Sequence, residues 1–183
     1  LKKTDLSSFE NNWYRPGSKI KIGIWYLVNI LFFKSSLNPF SKLKVLLLRL
    51  FGAKVGKGVV IKPNINIKYP WFLEIGDYVW IGEEVWIDNL TLIKIHSNVC
   101  ISQGAMLLTG NHNFKKSSFD LMVGEIKLEE GVWIGAKSVV CPGVTCHSHS
   151  VLAVGSVATK DLEPYTIYQG NPAQAVRKRE IIE

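Results

Sequence analysis

The sequence predicts a mainly β chain wound into a solenoid of short parallel strands, with helices at its ends. Two patterns carry that prediction. From Val55 onward an aliphatic residue returns every six positions, and a small or β-branched residue recurs four places after it. The anchors run Val55, Ile61, Ile67, then after an eight-residue step Ile75, Ile81, Ile87, and after another Ile95, Ile101, Leu107. A longer interruption follows, and the series resumes unbroken through Leu128, Ile134, Val140, Cys146, Leu152 and Ala158. The companions include Val79, Val99, Ala105, Val132, Ser138 and Ser156. Neither an α-helix nor an alternating strand has a period of six. A three-sided column does. Each unit forms one side with its anchor pointing inward, and coils stack about 4.8 Å apart.

The elements follow in order. Residues 1–54 form an amino-terminal helical segment, with helices over 18–34 and 40–51 separated by Asn38-Pro39 and closed by Gly52. The apolar run Ile20–Phe33 is shorter than the roughly 20 residues that span a bilayer. Residues 55–168 form the solenoid. Ile75, Ile95, Leu128 and Cys146 begin its first sides, Ile81, Ile101, Ile134 and Leu152 its second, and Ile87, Leu107, Val140 and Ala158 its third. The stretch 109–125 is then an inserted loop at one corner, and a loop of that length is usually functional. Pro164, Gly170 and Pro172 end the solenoid, and residues 169–183 read as a basic tail with a short helix from Ala173. Helices at both ends would cover the open strand edges.

Composition narrows the function classes. The chain is 47% hydrophobic and 20% charged, with a net charge of +7 spread along it and one dense cluster, Arg177-Lys178-Arg179. No basic stripe interleaved with aromatics is visible, which argues against a nucleic-acid partner. Three cysteines without a CxxC pair fit free thiols in a reducing compartment, and a cytoplasmic protein is expected. Cys146 falls on an inward position, where packing explains it.

The column assigns addresses to polar residues. The inserted loop carries His112 and Asn113, and Asp88 and Asn89 lie one coil beneath its root, either as acceptor-binding groups or as solvated corner residues. Trp133, Trp80 and Trp86 take outward positions, which suit a contact surface or subunit packing. Ala136 and Val154 occupy the same place on successive coils, so small residues stack there and leave a groove. His112 and Trp133 leave from different corners. Two copies around a threefold axis would bring them together, so the expected site lies between subunits of a homotrimer.

The motifs ISQGAMLLTGNHN, GVWIGAKSVVCPGV and GSVATKDLEPYTIYQGNPA resemble the hexapeptide-repeat, left-handed β-helix acyltransferases. The likeness extends to galactoside and maltose O-acetyltransferases and, over nearly the whole chain, to acetyltransferases of colanic-acid-type exopolysaccharide synthesis. The resemblance implies the left-handed winding, acetyl-coenzyme A as co-substrate without a metal, a saccharide acceptor and trimeric assembly. By it, His112 carries the catalytic histidine, Asp88 holds the acceptor and Trp133 lies beside the reaction centre. Ala136, Val154, Thr159 and Lys160 match coenzyme A contacts, with Arg177 near its phosphates. Many relatives read Asn-His-Asp where this chain reads Asn111-His112-Asn113, so the Asn113 amide is expected to bind acceptor, or to orient the histidine, without charge.

A histidine with its ordinary pKa near 6.5 suits removal of a hydroxyl proton near neutrality. Rival readings on the same fold are a non-catalytic scaffold or binding module, which would bind no coenzyme A, and N-acylation of an amino sugar. A zinc trimer would need three converging histidines, and His147 and His149 lack a third ligand nearby. If the acceptor is carried on lipid, the apolar amino-terminal segment has a reason to touch a membrane; packing on a neighbouring subunit is the plainer alternative.

Overall fold

The computed structural model describes residues 3–182 and winds them into a parallel β-solenoid of about six turns. The first sheet stacks Lys54–Val55, Leu73–Ile75, Ile93–Ile95, Ile126–Leu128 and Thr145–Cys146. The second stacks Val60–Ile61, Trp80–Ile81, Cys100–Ile101, Trp133–Ile134 and Val151–Leu152, and the third Asn66–Ile67, Trp86–Asp88, Met106–Leu108, Val139–Val140 and Val157–Ala158. The anchors pair with one another coil by coil: Ile81 with Ile101, Ile101 with Ile134, Ile134 with Leu152. Each anchor from Ile61 to Ala158 is buried, and Val55, at the open end, is half-buried. The strands end on their anchors rather than open on them, except Trp86–Asp88 and Met106–Leu108, which run one residue further. The residues that follow turn the corner, and several corners are turned by side-chain-bearing residues at positive φ, such as Tyr78, Glu84 and Lys137. A residue without a side chain is required where coils touch: a Cβ on Gly135 would sit 2.7 Å from the Leu152 carbonyl oxygen of the next coil.

Two helices close the first coil. Helix α1 spans Lys19–Val28 and continues as a π-turn over Asn29–Phe33; helix α2 spans Ser41–Leu50. Ser18 caps α1 by accepting from the Lys21 N–H at 3.2 Å. Each bottom strand finds partners in this unit. Arg49 donates to the Val55 carbonyl at 2.7 Å, Ser41 exchanges two 3.0 Å bonds with Ile61, and Trp25 Nε1 donates to the Ile67 carbonyl at 2.9 Å. Lys44 is fully buried beneath α2, donating to the Lys62 carbonyl at 2.8 Å, and burial pulls its ammonium pKa below the ordinary value. Unpaired strand edges are thereby satisfied by side chains.

The carboxyl end corrects one expectation. In place of a helix from Ala173, strands Thr166–Gly170 and Ala173–Lys178 form an antiparallel hairpin that extends the second sheet through the pairing of Leu152 with Tyr168. The exposed edge of the second sheet offers backbone partners that outweigh the helix propensity of Ala, Gln, Arg and Lys.

Glu129, at a first-sheet corner, illustrates how corners are tied. Its carboxylate takes a 2.8 Å bond from Lys127, lies 3.3 Å from His147 Nδ1 and accepts from the Ser148 N–H at 3.1 Å. The Lys127 bond, helped by His147 and Ser148, draws its pKa down to about 2. A depressed acid stabilises the fold fully above its unfolded value near 4.5 and ceases to do so as pH falls toward 2. Glu129→Gln is therefore expected to flatten the acid-unfolding curve across that window. Acid titration followed by circular dichroism checks this; superimposable wild-type and variant curves would refute it.

Candidate functional site

Within one subunit the expected site residues divide into two groups. The first lines a groove of about 660 Å³ on the second sheet, where Trp133, Ala136, Val154 and Arg177 come together. Val154 is 70% exposed and faces open space. Trp133 Nε1 donates to Ser102 Oγ at 2.9 Å, which fixes the indole plane along the wall. The Gly135 and Lys137 N–H groups bond to Leu152 and Gln103 carbonyls, whereas no described residue accepts from the Ala136 N–H between them. Arg177 arrives on the outer strand of the carboxyl-terminal hairpin, together with Arg179, whose Nη1 donates to the Gly131 carbonyl at 2.8 Å. Ser102, Gln103 and Arg179 were missed in the sequence because they join the groove only through stacking and through the hairpin. Thr159 and Lys160 are exposed after the last third-sheet strand, outside the groove lining.

The second group surrounds the insertion. Residues 109–125 form a hairpin, Gly110–His112 against Leu121–Val123, with His112 opposite Leu121. Gly110 sits where a Cβ would collide with the Leu90 side chain, which keeps the hairpin close to the coil. His112 is half-exposed. Its ring stacks on Phe119 at 4.5 Å between centroids, and its Nδ1 lies 2.8 Å from the Phe119 carbonyl oxygen. A carbonyl can only accept, so this contact calls for the proton on Nδ1, and in the neutral ring that tautomer has its lone pair on Nε2. Asn113 does not orient this ring: its Oδ1 accepts from the Lys115 N–H at 3.1 Å in a local turn.

An amino-terminal strap, without any counterpart in the sequence reading, crosses this hairpin. Asp5 donates its N–H to the Ser117 carbonyl at 2.8 Å, Phe9 packs on His112 at 5.8 Å, and Tyr14 Oη donates to the Leu90 carbonyl at 2.7 Å. Burial, with Tyr69 and Asp88 nearby, drives the Tyr14 pKa upward, so its hydroxyl stays protonated.

Asp88 lies at the root of the hairpin as expected, its carbonyl accepting from Thr109 Oγ1 at 2.9 Å. Its carboxylate pairs with Lys68 at 2.9 Å beside Tyr69 and Trp86, in a pocket of about 250 Å³ under α1. Asn89 corrects its expectation. It is fully buried, and its amide is spent on Tyr69, accepting from the N–H at 3.0 Å and donating to the carbonyl at 2.6 Å. That bond pins one coil to the next and leaves nothing for an acceptor.

Among the described residues no three His, Cys, Asp or Glu side chains converge as metal ligands. His147 faces Glu129, and His149 stacks on Tyr165 at 4.7 Å. Burial pushes the Cys146 thiol far above its ordinary pKa.

No family model matches the chain. A structure of the hexapeptide-repeat acetyltransferase VCA0836 from Vibrio cholerae in complex with acetyl-coenzyme A aligns with a TM-score of 0.77 at 23% identity, over 89% of this chain and 87% of that one. A galactoside acetyltransferase in complex with coenzyme A aligns with a TM-score of 0.77 at 24% identity, over 88% and 82%. These likenesses establish the fold. The putative colanic acid biosynthesis acetyltransferase WcaF of Escherichia coli K12 is 38% identical over 176 residues, 96% of this chain and 97% of that protein. The parallel β-solenoid and this end-to-end relationship lead to one assignment: the chain belongs to the hexapeptide-repeat acetyltransferases, in the family of WcaF.

Proposed function

We propose that the protein is an acetyl-coenzyme A-dependent O-acetyltransferase of sugars or saccharides in exopolysaccharide synthesis, acting as a homotrimer with His112 as general base. The observation that carries this reading is the setting of the His112 ring, whose Nδ1 lies against the Phe119 carbonyl and so makes Nε2 the acceptor nitrogen of the neutral ring. Nε2 takes the proton as the acceptor oxygen attacks the thioester carbonyl. The tetrahedral intermediate then collapses, expelling coenzyme A thiolate, which receives the proton back from the imidazolium. The Ala136 N–H is suited to the intermediate's oxyanion, because no described residue accepts from it. The groove fits the pantetheine arm, with Arg177 toward the phosphates, and Asp88 serves an acceptor hydroxyl. Coenzyme A complexes of structural relatives support the co-substrate, and the name of WcaF supports the polysaccharide setting.

The groove and His112 belong to separate faces of one subunit, so a catalytic unit needs two. Val154→Trp would fill the groove and raise KM for acetyl-coenzyme A by about tenfold or more, equal to at least ~1.4 kcal/mol of binding. Mixing that variant with His112→Ala in refolded or co-expressed trimers tests the arrangement. With sites between subunits, random mixing restores up to about a quarter of wild-type activity, since one site in each mixed trimer is intact. Absence of rescue would place both halves in one subunit. Acetyl-coenzyme A turnover against a panel of sugars, amino sugars and lipid-linked saccharides tests the reaction itself, and no turnover with any of them would overturn it.

A further inference from the structure

We infer that the amino-terminal helical cap is a docking surface for a bilayer bearing anionic headgroups. The first observation is an aliphatic ridge. Ile20, Ile24, Leu27 and Leu31 recur at helical spacing on one side of α1 and its π-turn, between 51% and 76% exposed. The opposite side, Trp25, Asn29 and Phe33, is the one packed on the first coil. The ridge continues into the connection to α2, where Leu37 and Phe40 are also exposed. A core stripe and a second apolar stripe on the same short helix are not explained by the subunit's own packing.

The second observation is charge. Basic residues are spread along the chain, but acidic ones are not. From Asn11 to Leu73 there is no aspartate or glutamate, whereas 11 of the chain's 22 lysines and arginines lie there. Lys19 and Lys34 stand exposed at the two ends of the ridge, and Lys42 stands exposed at the start of α2. An aliphatic ridge flanked by exposed cations, in a stretch of chain that contributes no acid of its own, matches the boundary between acyl chains and acidic headgroups. A second copy of the same face would meet like charge, and a nucleic acid would gain nothing from the aliphatic centre. No helix among the described residues is long and apolar enough to cross a membrane, so the contact is peripheral. The cap covers the first coil, at one end of the stack. In a trimer about an axis along the stack (the assembly proposed above) three such ridges face the same plane and act together.

Co-sedimentation with vesicles tests the proposal without acetyl donor or acceptor, so its outcome is separate from that of the transferase reading. Full-length protein is expected to bind phosphatidylcholine vesicles containing phosphatidylserine, to bind pure phosphatidylcholine vesicles more weakly, and to release as salt rises. The triple variant Ile24→Gln, Leu27→Gln, Leu31→Gln is expected to bind at least about tenfold less, with unchanged circular dichroism and molecular mass. Should that variant misfold, replacing Lys19, Lys34 and Lys42 with glutamine provides the second test and is expected to erase the preference for anionic vesicles. Failure of the wild type to sediment with anionic vesicles overturns the proposal. So does undiminished binding by a folded variant, or a change in its oligomeric mass, which would make the ridge a subunit contact.

Discussion

Replacing His112 with alanine is expected to lower turnover by about 10²–10⁴-fold, the usual contribution of a positioned general base. The fold should survive, because the side chain is half-exposed on a hairpin outside the solenoid interior. What is lost is a ring held flat on Phe119 and tethered to its carbonyl, with one nitrogen free. Coenzyme A affinity should change little, since the groove within a subunit is lined by second-sheet and carboxyl-terminal residues and not by His112. Thiol release under saturating acetyl-coenzyme A, alongside calorimetric titration of coenzyme A, separates the two effects. Near-wild-type turnover would remove His112 from the mechanism.

Ile101→Ala should act on the other quantity. Ile101 is buried midway up the second sheet, paired with Ile81 below and Ile134 above, so no neighbouring loop can collapse into the space. Truncations of this kind cost about 2–5 kcal/mol. A corresponding trim at half-buried Val55 in the first coil should cost less. Denaturant unfolding at a fixed protein concentration measures both, the concentration being held because association contributes to apparent stability. A loss below about 1 kcal/mol at Ile101 would mean the column relaxes as a whole, contrary to close-packed stacking.

Most of the column was legible beforehand because a period of six has one simple physical solution, and the pairing of Ile95 with Leu128 across the insertion follows from it. The period alone did not say which way the small residues four places after each anchor face; Val79, Val99, Ala105 and Ser138 are buried beside the anchors. The capping of the first coil was foreseen in outline, but not that Arg49, Ser41 and Trp25 each serve a different sheet. The carboxyl-terminal hairpin was missed. Beyond Ala158 the spacing breaks, Leu162 bridges to Cys146 out of phase, and helix-forming residues mask a strand whose partner is remote from them in type. The spacing offers Asn89 to an acceptor or to solvent, and only the fold reveals the Tyr69 backbone waiting for its amide. The strap over His112 leaves no periodic trace at all, since a single aromatic contact has no pattern to detect.

The hairpin that extends the second sheet has a consequence for solubility. A stack of parallel strands is a template at each end, and one bare rung invites another molecule to continue it. Here the final rung runs antiparallel and carries Arg177 and Lys178, so an approaching chain meets reversed polarity and positive charge. Clipping the protein within the turn between Gly170 and Ala173 would strip that barrier away. Tail-to-tail pairing of two bared edges, the first coil keeping its helical cap, would be the fate of the remnant.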